Sequence, residues 1–332
     1  MRKNVTPNEQ KLRSLINKEI KSIIAESAKT KKRSLTSLIF EVEDSSVEWD
    51  SNYESFVKTL ASNASDPKVQ AFIKAGKLDK DDNDDKFTFG SADLSVAGLI
   101  PTQNEIDVDK SLAWPMKKPA TFLDFVKGAG QSFTLGSPIV TYKGKYIIDG
   151  HHRWSQLYAC NKDAKIKAVD ISVEGLEPLD VLKAVQAAIA VQTKSVPMAS
   201  VEGINLLKID KGGLESWVDS RVDSKLFDAV KADEKTMEIL GGDDVKKAVV
   251  DFVWTNVEDM QSKSQPVAGA PKRDFMPQTD DVDWQKPLEQ GLVDVVGPHA
   301  EPEDIKKSIE AAGRKRTGNV MVERWQRLAG IK

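Results

Sequence analysis

The chain has 332 residues, 40% of them apolar and 30% charged, a balance typical of globular proteins with charged surfaces. A formal net charge of −3 excludes the uniformly basic character of a protein that coats nucleic acid. The lone cysteine, Cys160, excludes an internal disulfide framework and an all-cysteine zinc cluster. No apolar run approaches the ~18 residues of a membrane span, and the N-terminus is charged, without a secretory core. The expectation is a protein that works in a cytoplasm, or is packaged from one, and not in a membrane.

Residues 7–29 place Leu12, Leu15, Ile16, Ile20, Ile23 and Ile24 at helical spacing, and residues 34–41 form a second short apolar unit. A further helical stretch over 52–75 carries Tyr53, Phe56, Val57, Leu60, Val69, Phe72 and Ile73. The acidic run at 81–85 lacks the glycine and closing glutamate of an EF-hand loop, so it reads as a solvated linker. From residue 91 the texture changes. A strand-like segment lies within 94–106, Asp109 is a candidate helix start, and Phe122–Val126 is helical, ended by Gly128 and Gly130. Strands at 137–142 and 146–148 flank a Lys143-Gly144 turn; a helix over 151–161 and a strand over 166–173 follow. This order predicts a small α+β domain with a mixed sheet, flanked on both sides by helical regions.

After Pro178 the pattern is helical at 181–191, 200–210, 213–240 and 243–260, with Gly-Gly breaks at 212–213 and 241–242. Residues 262–288 read as a Pro-rich loop, and 304–312 and 320–328 as terminal helices. The predicted organisation is therefore four regions: 1–86 helical with the acidic linker, 91–175 α+β, 177–261 helical, and 262–332 loop and terminal helices.

The most informative stretch is Ile147-Ile148-Asp149-Gly150-His151-His152-Arg153-Trp154, where a strand turns into a helix and two of the three histidines meet an arginine. A helix N-terminus leaves N–H groups unpaired and carries partial positive charge, which suits an anion. Arg153 adds a guanidinium fork, and Gly150 allows close approach of a ligand. The competing explanation is a plain strand–turn–helix that Asp149 caps. Adjacent histidines on a helix start diverge by about 100°, so one of the two faces a ligand, and a metal held by both is disfavoured. Trp154 and Cys160 read as core residues.

This string resembles the nucleotide-binding motif of the ParB/sulfiredoxin-like superfamily, and Leu99-Ile100-Pro101-Thr102-Gln103-Asn104-Glu105-Ile106 resembles that family's opening strand and turn. The resemblance covers about residues 91–175. It implies a phosphate pocket lined by Gly150, His151, His152 and Arg153. A nucleoside di- or triphosphate, with or without Mg²⁺, or another phosphorylated small molecule would occupy it. Sulfiredoxin chemistry is set aside, because His151 stands where that branch has its reactive cysteine. The kinase branch carries a string very like residues 149–153, so phosphoryl transfer or nucleotide hydrolysis is the expected chemistry. His151 or His152 would donate to a phosphate, and Asp149 would orient a histidine or hold Mg²⁺ through water. Glu105 is the candidate general base, the alternative being a solvated turn residue.

Two other classes stay in view. Ile24-Ala25-Glu26 before Ser27 and Ile39-Phe40-Glu41 before Val42 resemble the cleavage sites of prohead proteases from tailed phages. That resemblance implies a phage virion protein, processed at its N-terminus, that meets capsid proteins and retains a non-catalytic ParB-like domain. A DNA-binding ParB-like nuclease is the third class. For it the sequence offers only Arg314-Lys315-Arg316 and no compact metal-ligand cluster.

Overall fold

A computed structural model describes residues 52–74, 78, 86–198, 203–293 and 307. The two apolar-x-Glu tripeptides, the N-terminal helix, the acidic run and the terminal helices lie outside these residues. The architecture is α+β: a mixed six-stranded sheet covered by helices on both faces. None of the described helices is long and apolar enough to cross a membrane.

Two helices open the described chain, α1 (Tyr53–Asn63) and α2 (Pro67–Ile73), where the sequence pattern suggests one. Asn52 caps α1 by accepting the Ser55 N–H at 3.2 Å. Strand β1 (Thr88–Ser95) and a single 3₁₀ turn lead to the short β2 (Ile100–Pro101). Helices α3 (Val108–Lys117) and α4 (Pro119–Lys127) follow. The cap of α3 is Asp107, two residues before the expected Asp109; its Oδ1 accepts the Lys110 N–H at 2.7 Å. Gly128 ends α4. Then come β3 (Ser132–Phe133), β4 (Ile139–Tyr142), β5 (Tyr146–Asp149), α5 (His151–Cys160) and β6 (Lys165–Ser172).

The sheet order is β1-β6-β4-β5-β2, with β3 also pairing β6. β1–β6 and β4–β5 are antiparallel; β4–β6, β3–β6 and β2–β5 are parallel. Side chains alternate between two cores, as the period of two demands. Ile139, Ile147, Ile166 and Ala168 face one core with α3, α4 and α5. Val140, Tyr142, Ile148 and Ile171 face the other with α1 and with α6 (Pro178–Thr193). With both faces covered, β4 is buried at all four positions.

The first core does not stop at the α/β unit. It runs on without a break to Met260, because α7 (Lys211–Arg221), α8 (Ser224–Ala232), α9 (Glu234–Leu240) and α10 (Val245–Lys263) pack against it. Tyr158 on α5 donates its hydroxyl to Asp259 at 3.0 Å, and Asn256 donates to the Ala159 carbonyl at 3.1 Å. These helices begin on Asp210, Asp223, Asp233 and Asp244, each accepting an N–H of its own first turn. The Gly-Gly pair at 212–213 is no break but sits in the first turn of α7. Gly213 donates to Asp210 there at 2.7 Å, and a Cβ would lie 2.9 Å from Ile209 Cγ1. Residues 203–210 form turns rather than the expected helix, while 262–288 is largely loop, with a 3₁₀ turn at Arg273–Phe275 and the start of α11 (Gln285–Glu289).

Candidate functional site

The strand-to-helix junction builds the site. β5 ends at Asp149, and Gly150 is the N-cap of α5 with φ +93°, a left-handed conformation that suits glycine. A Cβ at this position would come within 2.5 Å of Ile139 Cγ2, so packing forbids a side chain as well. No side chain caps α5. Asp149, offered by the sequence as a cap, does something else. Its Oδ2 accepts from Arg153 Nη2 at 3.2 Å and from the Thr279 hydroxyl at 2.7 Å. The N–H groups of the first turn of α5, those of residues 151–153, therefore have neither an intrahelical acceptor nor a cap.

Both histidines are turned back onto the chain. His151, 1% exposed, accepts the Thr102 N–H on Nε2 at 3.1 Å. His152 accepts the Asp107 N–H on Nε2 at 3.2 Å. A ring nitrogen that accepts is unprotonated, so each neutral imidazole carries its proton on Nδ1. Burial first, then the charges of His152 and Arg273, hold His151 well below the ordinary histidine range. Burial, Arg273 and Lys110 push His152 down to about 3. At neutral pH the pair supplies hydrogen bonds, not protons. The Nδ1–H of His151 is fully buried and has no acceptor among the described residues.

Arg153 is engaged on two sides. Its Nη1 donates to the Ser137 carbonyl at 3.1 Å and to the Ser137 hydroxyl, while Nη2 meets Asp149. Thr102 and Glu105 belong to the turn after β2, which lies beside the α5 N-terminus. The Thr102 hydroxyl donates to the Ile147 carbonyl, and Gln103 donates its amide to the Glu105 carbonyl. Glu105 itself is half-buried in that turn, with no hydrogen bond to its carboxylate among the described residues. Trp154 is wholly buried and donates to the Val96 carbonyl at 2.8 Å, so it packs on the sheet and does not face a ligand.

The segment after α10 completes the neighbourhood. Val267 N–H donates to the Pro101 carbonyl at 3.1 Å, and Asn104 donates its N–H to Pro271 at 3.0 Å and its side-chain amide to Ala270 at 2.7 Å. Arg273 and Thr279 thereby reach the α5 N-terminus. Neither could be foreseen: in sequence they are a basic residue and a hydroxyl in a Pro-rich loop.

Donors dominate this arrangement, so it suits the oxygens of a phosphate. For Mg²⁺ it is poorer, since the nearest carboxylate, Asp149, already accepts two hydrogen bonds on one oxygen, and no group of three His, Cys, Asp or Glu side chains gathers among the described residues. A separate cavity of about 320 Å³ is lined by Asn161, Lys162, Phe252 and Asn256 at the far end of α5. Ten helical residues span ~15 Å, so that cavity is apart from the junction. Comparisons of the chain with protein-family models, curated proteins and solved structures found no match.

Proposed function

We propose that the chain is a ParB/sulfiredoxin-like protein that binds a nucleotide or another phosphorylated small molecule at the N-terminus of α5. The reading is carried by the Nδ1–H of His151, a buried donor with no acceptor among the described residues, beside a helix N-terminus that no described side chain caps. An unsatisfied buried donor costs about 1–3 kcal/mol, and a phosphate oxygen would remove that cost. Backbone N–H groups of residues 151–153 would share the same anion through the helix dipole. The motif 147–154 and the turn 99–106 resemble the family's, and the strand–helix–hairpin–helix–strand order around them is consistent with it.

When bound, a nucleotide would supply a phosphoryl group for transfer or hydrolysis. The chain's own contribution to such a step would be orientation and charge stabilisation, because its histidines are neutral donors. Glu105 remains the one proposed base. A thermal-shift screen of ATP, ADP, CTP and inorganic pyrophosphate, with and without Mg²⁺, tests the binding reading. A rise in melting temperature with at least one of them is expected in the parent, and a smaller rise in His151→Phe. No shift with any of the four rejects the reading.

A further inference from the structure

We infer that Arg273, carried by the segment between α10 and α11, is the cation that contacts the ligand's phosphate, and that Arg153 serves the fold instead. This inference rests on the phosphate-binding reading of the α5 N-terminus and adds to it a contributor from outside the strand–helix motif.

The two arginines stand in opposite situations. Arg153 is bound by Ser137 and by Asp149, and withdrawing it would strip a partly buried carboxylate of its charged partner. Arg273 is half-buried, and its Nε–H has neither solvent access nor an acceptor. Among the described residues its guanidinium makes no hydrogen bond and no ion pair. Desolvating a guanidinium whose donors lack an acceptor is unfavourable, and an arriving anion would offset that penalty.

Position supports the same assignment. Arg273 sits in a 3₁₀ turn whose flanks are tied to the junction: Pro271 accepts from Asn104 at 3.0 Å, and Thr279 donates to Asp149 at 2.7 Å. From the other side, Tyr53 donates its hydroxyl to the Phe275 carbonyl at 3.0 Å, and Lys272 N–H donates to Glu54 at 3.1 Å. The turn is thus held between α1 and the α5 N-terminus. The charge of Arg273 is felt by both His151 and His152, and its own surroundings combine Asp149, Asp274 and Asp280 with Arg153. A planar fork with Nε–H and Nη–H donors suits two oxygens of one phosphate, and the buried His151 Nδ1–H suits a third.

The test is isothermal titration of the full chain with ADP and with inorganic pyrophosphate, in the parent, Arg273→Gln and Arg153→Gln. Arg273→Gln is expected to lose at least tenfold in affinity while its melting temperature stays near the parent's. Arg153→Gln is expected to melt earlier and to keep its affinity within about threefold when assayed below that transition. Parental affinity in Arg273→Gln, or a tenfold loss confined to Arg153→Gln, overturns the inference and leaves the phosphate-binding reading standing. Absence of binding in the parent overturns both. Should Arg273→Gln fail to fold, Arg273→Lys keeps the charge without the fork. A loss of at least threefold is then expected, and parental affinity rejects the assignment.

Discussion

The backbone N–H of Thr102 donates to Nε2 of His151 at 3.1 Å, and this bond joins the turn after β2 to the first residue of α5. It fixes the ring's tautomer and leaves Nδ1–H as the remaining donor, while burial keeps the imidazole neutral. His152 repeats the arrangement with Asp107 at 3.2 Å. The junction's two histidines are therefore staples first, and whatever they do for a ligand they do as neutral donors.

Stability should consequently fall on mild acidification. The folded-state value of His152, about 3, lies below its ordinary 6.5, so the unfolded chain takes up the proton first as pH drops. The contribution is complete above pH 6.5 and declines toward about 3, with a slope of up to ~1.4 kcal/mol per pH unit for each such histidine. Urea unfolding of the parent and His152→Gln at about pH 8, 6 and 5 measures this. An equal pH slope in the two proteins would contradict the assignment.

Gly150→Ala should destabilise the chain by roughly 2–5 kcal/mol. A left-handed backbone costs an L-residue ~1–2 kcal/mol, and overpacking against Ile139 adds ~1–3 kcal/mol. Urea denaturation reads the difference directly; a loss under ~1 kcal/mol would mean that the turn relaxes at little cost.

Thr279→Val removes the hydroxyl that ties the 264–284 segment to Asp149 while leaving the Arg153–Asp149 pair in place. A stability loss of about 0.5–1.5 kcal/mol is expected. Limited proteolysis should cut within 264–284 faster than in the parent, and identical digestion would show that the tie is dispensable.

Cys160 is wholly buried in the first core, and burial pushes its thiol well above the usual range. A disulfide reagent such as Ellman's should leave the native protein unmodified and titrate one thiol after denaturation. Fast reaction of the native chain would refute the burial.

Gln186 on α6 is 0% exposed, and neither polar atom of its amide has a hydrogen-bond partner among the described residues. Replacement by leucine, which has a similar volume and no polar atoms, should raise stability by about 1–3 kcal/mol. A lower urea midpoint for Gln186→Leu sinks the idea.

Much of the α/β unit was legible because its signals are local. The Lys143-Gly144 turn between two short apolar runs gave the β4–β5 hairpin, and Gly150 after Ile147-Ile148-Asp149 gave the start of α5. Burial of Trp154 and Cys160 followed from their places on that helix. The C-terminal helices were misdivided where two local signals competed. The Gly241-Gly242 break held, with Gly241 ending α9, but the Gly212-Gly213 break and the single helix over 213–240 did not: Asp210, Asp223 and Asp233 set those boundaries, since a capping carboxylate satisfies an orphan N–H outright.

By itself, then, the sequence determined the α+β class, the strand–glycine–helix junction and the candidate residues Asp149 to Arg153, because each depends on neighbours within a few positions. Tertiary structure alone decided what those residues do. It paired Arg153 with Asp149 and Ser137, made the histidines acceptors for Thr102 and Asp107, and brought Thr279 to Asp149 across 130 positions. It also brought Arg273 beside them with no hydrogen bond or ion pair among the described residues. Such long-range contacts form only when a shared core overcomes the entropy of closing the intervening chain, and no local pattern records that outcome.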